Sequence, residues 1–243
     1  MSSAQSVHAW NEPEGIAPRG TLIVLPGRGE HGGVYERFGR RIAADGYRVR
    51  AVAAPSSDPS AVTDEAAKLL RDETLPGPRV LVGSDTGAVH AAALAARGVP
   101  GLDALILAGL PTAPHTEAAT QGWEAELDQR TACPTHRGRL ATDATFRRGA
   151  LADTVPAELA APDGILVPVL ALHGADDTVS PLPDARRVYA TLPGAELVSL
   201  VGTRHDVLND VTHRTAAAIA VLFLERLRLS PGLSPIAVRE DLA

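Results

Sequence analysis

One stretch constrains the fold more than any other. Arg79-Val-Leu-Val-Gly-Ser-Asp-Thr-Gly87 is an apolar run that leads directly into Gly83-x-Asp85-x-Gly87 and an Ala-rich segment. A strand that passes into a helix through a small-x-acid-x-small turn bends so sharply that only glycine-sized neighbours fit beside the central residue. This is the geometry of a nucleophile elbow, whose central residue is normally serine and here is Asp85. A plainer reading stands beside it: Ser, Asp and Thr all favour N-cap positions, so the motif is also compatible with a turn and a helix cap.

The flanking segments alternate in type. Thr21–Leu25, Tyr47–Ala53, Val80–Val82, Leu102–Ala108, Val167–Leu172 and Glu196–Val201 are short apolar runs bounded by Gly, Pro or Asp, and read as buried strands. Val34–Ala44, Ala61–Arg71, Thr86–Ala96, Ala185–Thr191 and Asp210–Leu227 read as helices. A loop is expected over residues 54–59. Strands separated by helices imply right-handed crossovers and a mostly parallel sheet covered on both faces, the α/β class. Ligands of such sheets bind at the carboxyl ends of the strands. Residues 111–163 break the alternation with a polar, helix-leaning stretch, expected to form a small lid inserted in a single domain spanning 1–243.

Composition narrows the function classes. A chain of 243 residues can bury a proper core; it is 45% apolar and 21% charged, with a formal net charge of −6. Without a basic stripe it is not expected to bind nucleic acid. No apolar run is long enough for stable membrane insertion, and the first residues lack a signal peptide's basic and apolar regions. The single cysteine, Cys133, excludes an internal disulfide framework and fits a reducing cytoplasm. No Cys/His cluster has zinc-like spacing, so no metal and no cofactor are expected. The expected partner is a small-molecule substrate; the oligomeric state is not encoded in any pattern found.

Three further loops follow strands. Leu170-Ala-Leu-His-Gly-Ala-Asp-Asp177 places an acid after one, and Gly202-Thr-Arg-His205 a histidine after the last. With Asp85 they stand in the order nucleophile, acid, base. Asp177 would fix the imidazole tautomer, and His205 would act as general base toward water. Pro26-Gly-Arg-Gly-Glu-His-Gly-Gly-Val-Tyr35 supplies a Gly-rich turn after the first strand, whose backbone N–H groups can face a ligand oxygen. The expected donors are the N–H groups of Arg28 and Thr86.

That Gly-rich segment resembles the oxyanion loop of monoacylglycerol lipases and lysophospholipases of the α/β-hydrolase superfamily. Gly174–Pro181 and His205-Asp-Val-Leu-Asn-Asp210 resemble that family's acid and histidine segments. The resemblance covers roughly residues 20–110 and 165–228 and implies the α/β-hydrolase fold, with a much weaker implication for substrate. The elbow departs from it, because Asp85 resembles epoxide hydrolases and haloalkane dehalogenases. A carboxylate attacking an ester must form a mixed anhydride, an uphill exchange, whereas attack on the saturated carbon of an epoxide or halide gives an ordinary ester that water can cleave.

The partners those enzymes use are missing. The lid segment has no tyrosine to protonate an opening ring, Thr86 stands where a dehalogenase has tryptophan, and only Trp123 is left as a halide donor. His136, Arg137, Arg139 and Tyr35 are the candidates for the electrophilic half of the site, with Gly27 in its wall. Ser84 precedes the apex and is expected to point into the core. Cys133 is expected to be structural. Three readings remain: a hydrolase that forms an ester on Asp85 with an epoxide- or halide-like electrophile; an esterase, lactonase or lyase in which Asp85 and His205 do acid/base work; and a ligand-binding descendant without turnover.

Overall fold

The computed structural model describes residues 7–53, 58–113, 122–155, 164–238 and 240. Its centre is a seven-stranded sheet: β1 (His8–Trp10), β2 (Thr21–Leu25), β3 (Arg48–Ala51), β4 (Arg79–Ser84), β5 (Ala104–Ala108), β6 (Val169–Gly174) and β7 (Glu196–Leu200). The spatial order is β1-β3-β2-β4-β5-β6-β7. All neighbours run parallel except β1, which lies antiparallel to β3 with Ala9 opposite Arg50. Strands expected from apolar runs are present; β3 is three residues shorter than expected and β4 three longer, and the others agree to within two residues. β1 is an addition: two exposed residues and the half-buried Trp10 at the sheet edge carry no apolar pattern to betray it.

The helices are α1 (Glu36–Ala44), α2 (Pro59–Leu70), α3 (Thr86–Ala96), α4 (Trp123–Arg130), α5 (Pro134–Thr142), α6 (Leu182–Tyr189) and α7 (His213–Leu229). The expected start of α1 at Val34 is instead a 3-10 turn over Gly32–Tyr35, capped by the His31 side chain. The two faces of the sheet bury different partners, as strict alternation along each strand requires. Leu22, Val24, Val80, Val82 and Ile106 pack with Phe38 and Ile42 of α1 and with Phe223 and Leu224 of α7. Ile23, Leu25, Leu81, Leu105 and Leu107 pack with Val62 and Leu70 of α2 and Val89 and Leu94 of α3. Parallel strands buried on both faces bring the carboxyl ends of β2, β4, β6 and the turn after β7 to one edge.

Of the expected lid, α4, α5 and a 3-10 turn at Ala150–Ala152 are described, while residues 114–121 and 156–163 lie outside the described residues. The loop expected at 54–59 likewise falls mostly outside them. No described helix is long and apolar enough to cross a membrane.

Candidate active site

The turn between β4 and α3 bends as its glycines demand. A Cβ on Gly83 would stand 2.3 Å from Ala88 Cα, and one on Gly87 2.2 Å from the Leu25 carbonyl oxygen. Asp85 sits between them at φ 49°, ψ −123°, one of two non-glycine residues with positive φ among those described. Such a conformation costs on the order of 1–3 kcal/mol and persists only where the surroundings impose it. The Asp85 side chain caps no helix N–H, so the turn is not the side-chain helix cap that its residue types also allowed.

His205 and Asp177 complete a line of hydrogen bonds. His205 Nδ1 lies 2.8 Å from Asp177 Oδ2, and Nε2 lies 3.1 Å from Asp85 Oδ1. Asp177 is itself held by the N–H groups of Val179 and Ser180, at 2.8 and 2.9 Å to Oδ1. Its neighbour Asp176 is exposed. A Cβ on Gly109, at φ +58°, would stand 2.6 Å from the His205 carbonyl oxygen, so β5 leaves its end bare to admit the histidine loop.

The protonation state follows from this geometry. Both ring nitrogens face carboxylate oxygens, which only accept when ionised, so both nitrogens must carry protons. Burial alone would lower the His205 pKa; the charge and hydrogen bond of Asp177, with those of Asp85, reverse this and push it up to about 10. Burial tends to raise the Asp85 pKa, but the Arg28 charge and the His205 contact hold it well below the usual carboxylate range. The resting site thus contains an imidazolium between two carboxylates.

Arg28 supplies the second cation, a role the sequence reading missed. Its N–H donates to Asp85 Oδ2 at 2.7 Å. In addition, Nε reaches Oδ2 at 2.9 Å and Oδ1 at 3.1 Å, and Nη2 reaches Oδ1 at 2.8 Å. Nη1 is anchored to the carbonyl oxygens of Leu151 and Asp153, at 2.8 and 3.2 Å. Arg28, Asp85, Asp177 and His205 are all at most 4% exposed. Their charges cancel, which is what so thorough a burial requires. The Thr86 N–H, the other expected donor, makes no hydrogen bond to the Asp85 carboxylate, and the buried Thr86 Oγ1 has no partner.

The residues expected to supply the electrophilic half are engaged elsewhere. Tyr35 is fully buried, donates to Glu30 and accepts from the Gly27 N–H. Gly27 does line the site, since a Cβ there would stand 3.0 Å from Asp85 Cβ. His136 pairs with Asp206 at 3.1 Å. Trp123 packs on Phe146 beneath the Arg148 guanidinium. Arg137 pairs with Glu124 and Asp128, and Arg139 with Glu36. Ser84 is buried and contacts the Tyr35 hydroxyl, as its place before the apex predicts. Cys133 is buried at the start of α5, its N–H held by Asp210.

Beneath the Gly-rich loop after β2 lies a second buried polar layer. Arg130, 0% exposed, binds Glu126, Asp206 and the Arg28 carbonyl oxygen. Glu126 also accepts from the N–H of Gly149 and that of Leu151 at 3.5 Å. Glu30, His136 and Asp206 present ligand atoms within 4.8 Å of one another. The Arg130 guanidinium against Asp206 opposes a further cation there, and Tyr35 and Gly27 already occupy Glu30. This donor set fits an ion-pair network better than a metal centre.

Known proteins agree with the architecture. No family model matches the chain, and no curated protein matches its sequence. Solved structures do. The monoacylglycerol lipase of Paleococcus ferrophilus superposes with a TM-score of 0.70 at 15% identity, covering 94% of this chain and 100% of the lipase. A soluble variant of Saccharomyces cerevisiae monoglyceride lipase gives 0.74 at 16% identity, over 90% and 91%. The enol-lactonase of Burkholderia xenovorans LB400 gives 0.62 at 18%, over 90% and 95%. The chain has the α/β-hydrolase fold.

Proposed function

We propose that the protein is a hydrolase acting on a small molecule, with Asp85 as nucleophile toward a carbon electrophile, His205 as proton carrier and Asp177 as its orienter. The observation that carries this reading is Asp85 itself: a non-glycine residue at φ 49° on the carboxyl end of β4, one hydrogen bond from a histidine that is one hydrogen bond from a second acid. Asp85 Oδ1 would attack a saturated carbon of an epoxide- or halide-like group, forming an ester as the carbon–oxygen or carbon–halogen bond breaks. An opening oxygen would take its proton from the His205 imidazolium, which supplies the acid that the lid lacks. Esterification removes the Asp85 charge, one of the causes that hold the proton on His205; where a halide ion leaves, taking no proton, the imidazolium gives its proton to solvent. The neutral imidazole can then deprotonate water, whose attack on the Asp85 carbonyl releases the product and restores the carboxylate. The N–H groups of Arg28 and Thr86 would hold the oxyanion of that step.

A second reading is favoured by the occupancy of Asp85, both of whose oxygens already accept from cationic donors. In that reading Asp85 and His205 serve as acid and base for ester or lactone cleavage by water, and no bond to Asp85 forms. Mass analysis separates the two. Purified protein is screened against small epoxides, halides and activated esters, and active substrates are turned over once in heavy-oxygen water. The covalent reading expects label in the Asp85 peptide, and an adduct that persists there in His205→Ala. An active wild type with neither adduct nor label would establish the acid/base reading instead.

A further inference from the structure

Asp177 stands between two imidazoles. His205 Nδ1 lies 2.8 Å from its Oδ2, and His173 Nε2 lies 3.4 Å from the same atom. His173 is the last residue but one of β6, is completely buried, and meets the ring of Tyr189 on α6 edge-on, with centroids 6.1 Å apart. Two histidines beside one buried acid compete for it unless something separates their roles.

The neighbours of His173 place its proton. Nε2 lies 2.7 Å from the Ser180 carbonyl oxygen, which only accepts, so Nε2 carries the hydrogen. Nδ1 is buried and has no hydrogen-bond partner among the described residues. A charged ring would put a second N–H there with nothing to accept it, in an interior that disfavours an unpaired charge. Burial lowers the His173 pKa, outweighing the Asp177 charge and the Ser180 carbonyl oxygen, and the His205 charge lowers it further. Tyr189, the titratable side chain that faces it from α6, is kept un-ionised by burial. Arg28, Asp85, Asp177 and His205 already cancel in charge, and a neutral His173 preserves that balance.

Ser180 is the part that separates the two rings. Its N–H donates to Asp177 Oδ1 at 2.9 Å, its hydroxyl donates to the Leu110 carbonyl oxygen at 2.6 Å, and its own carbonyl oxygen takes the His173 hydrogen. The loop that carries Asp177 is thereby closed onto the end of β6 and tied to the segment after β5. We propose that His173 is a positioning residue for the acid–histidine pair: by donating to the Ser180 carbonyl oxygen and not to Asp177, its neutral ring seats the acid loop and leaves Asp177 Oδ2 to His205. A ring turned onto Asp177 would take the oxygen that His205 uses and leave a buried carbonyl oxygen unpaired. The inference rests on the reading of Asp177 and His205 as a working pair and requires no bond to Asp85.

The test is nuclear magnetic resonance of the imidazole rings against pH, in wild type and two variants. His173→Phe keeps a ring and loses the N–H; His173→Gln keeps an N–H for Ser180 and cannot titrate. In wild type the His173 ring is expected to hold its hydrogen on Nε2, with Nδ1 bare, while His205 keeps both of its own up to about pH 10. In His173→Phe the acid loop loses its seat, so the His205 imidazolium is less well paired and its midpoint should fall by about one pH unit or more. In His173→Gln the midpoint should stay within about half a unit of wild type. A merely structural His173 predicts the same midpoint in every folded variant. That result, an equal fall in both variants, or a wild-type His173 that is charged or carries its hydrogen on Nδ1 would overturn the proposal. If His173→Phe does not fold, the wild-type ring and the His173→Gln midpoint decide. No substrate enters the measurement, so the two readings fail separately. A wild-type His205 that titrates near its ordinary 6.5 refutes the acid–histidine pair and this proposal with it. Adducts on Asp85 with a His205 midpoint indifferent to His173 refute the positioning role alone.

Discussion

The pairing of Arg28 with Asp85 can be measured through a double-mutant cycle of Arg28→Met and Asp85→Asn. Arg28 spans three side-chain contacts of 2.8–3.1 Å to one carboxylate, with both partners at most 3% exposed. Removing one member of such a pair leaves an uncompensated charge and costs about 3–5 kcal/mol. In Arg28→Met the four-charge site falls from neutral to a net charge of minus one, with His205 alone left to share between two carboxylates. Replacing both partners removes both charges, leaves the neutral Asp177–His205 pair, and should recover more than half of the loss. For a chain of this length each kcal/mol moves Tm by about 2–4 °C. Scanning calorimetry should thus show Arg28→Met melting roughly 6–20 °C lower, with the double variant well above the sum of the two singles. A single variant that loses under about 1 kcal/mol, or a double variant no more stable than Arg28→Met, would refute the reasoning about burial and charge.

Other outcomes follow from the same geometry. Asp177→Asn should lower turnover by up to about 10⁴-fold with the fold intact, while Asp176→Asn, at an exposed position, leaves it unchanged; steady-state kinetics on any substrate found decides this. Stability should depend on pH in two limbs measured by chemical denaturation. His205 is raised from 6.5 to about 10, so its contribution is complete below about pH 6.5 and is lost as pH rises through about 10. Asp85 is depressed below 3.8, so its contribution is present above that value and is lost as pH falls through the depressed pKa. The two limbs report different pairings, that of His205 chiefly with Asp177 and that of Asp85 chiefly with Arg28, and a curve that keeps rising between pH 7 and 10 would contradict the imidazolium. Gly87→Ala should fail to fold or lose several kcal/mol, because its Cβ would meet the Leu25 backbone at 2.2 Å; expression and far-ultraviolet circular dichroism check it.

What the sequence disclosed depended on how local the cause was. Asp85 and Asp177 follow the buried strands β4 and β6, and His205 lies in the turn after the half-buried β7, so order along the chain sufficed to place them together. The glycines of the elbow were legible for the same reason. The Arg28 side chain was not: a Gly-rich loop predicts where its N–H points, whereas a guanidinium on a flexible stem goes where Leu151, Asp153 and Asp85 accept it. The burial of the α4 charges was not legible either. Glu126 and Arg130 belong to a segment polar enough to pass for a solvated surface, yet they are 1% and 0% exposed because they satisfy one another and Asp206. His136 and Tyr35, expected near a substrate, lie in that same buried layer.

The stitching between α4 and the site loops carries a consequence for how the molecule opens. The His205 N–H donates to the Gln129 carbonyl oxygen, the Asp206 N–H to that of Arg130, the Arg147 N–H to that of Gly29, and Arg130 holds the Arg28 carbonyl oxygen. These ties cross between segments far apart in sequence, so no one of them can break without loosening the others. In native-state hydrogen exchange the amides of His205, Asp206 and Arg147 should therefore share one opening free energy and behave as a single cooperative unit. Whatever admits a ligand to Asp85 would then be a concerted detachment of this unit from the sheet, and the exchange rate of three backbone amides would report the frequency of access.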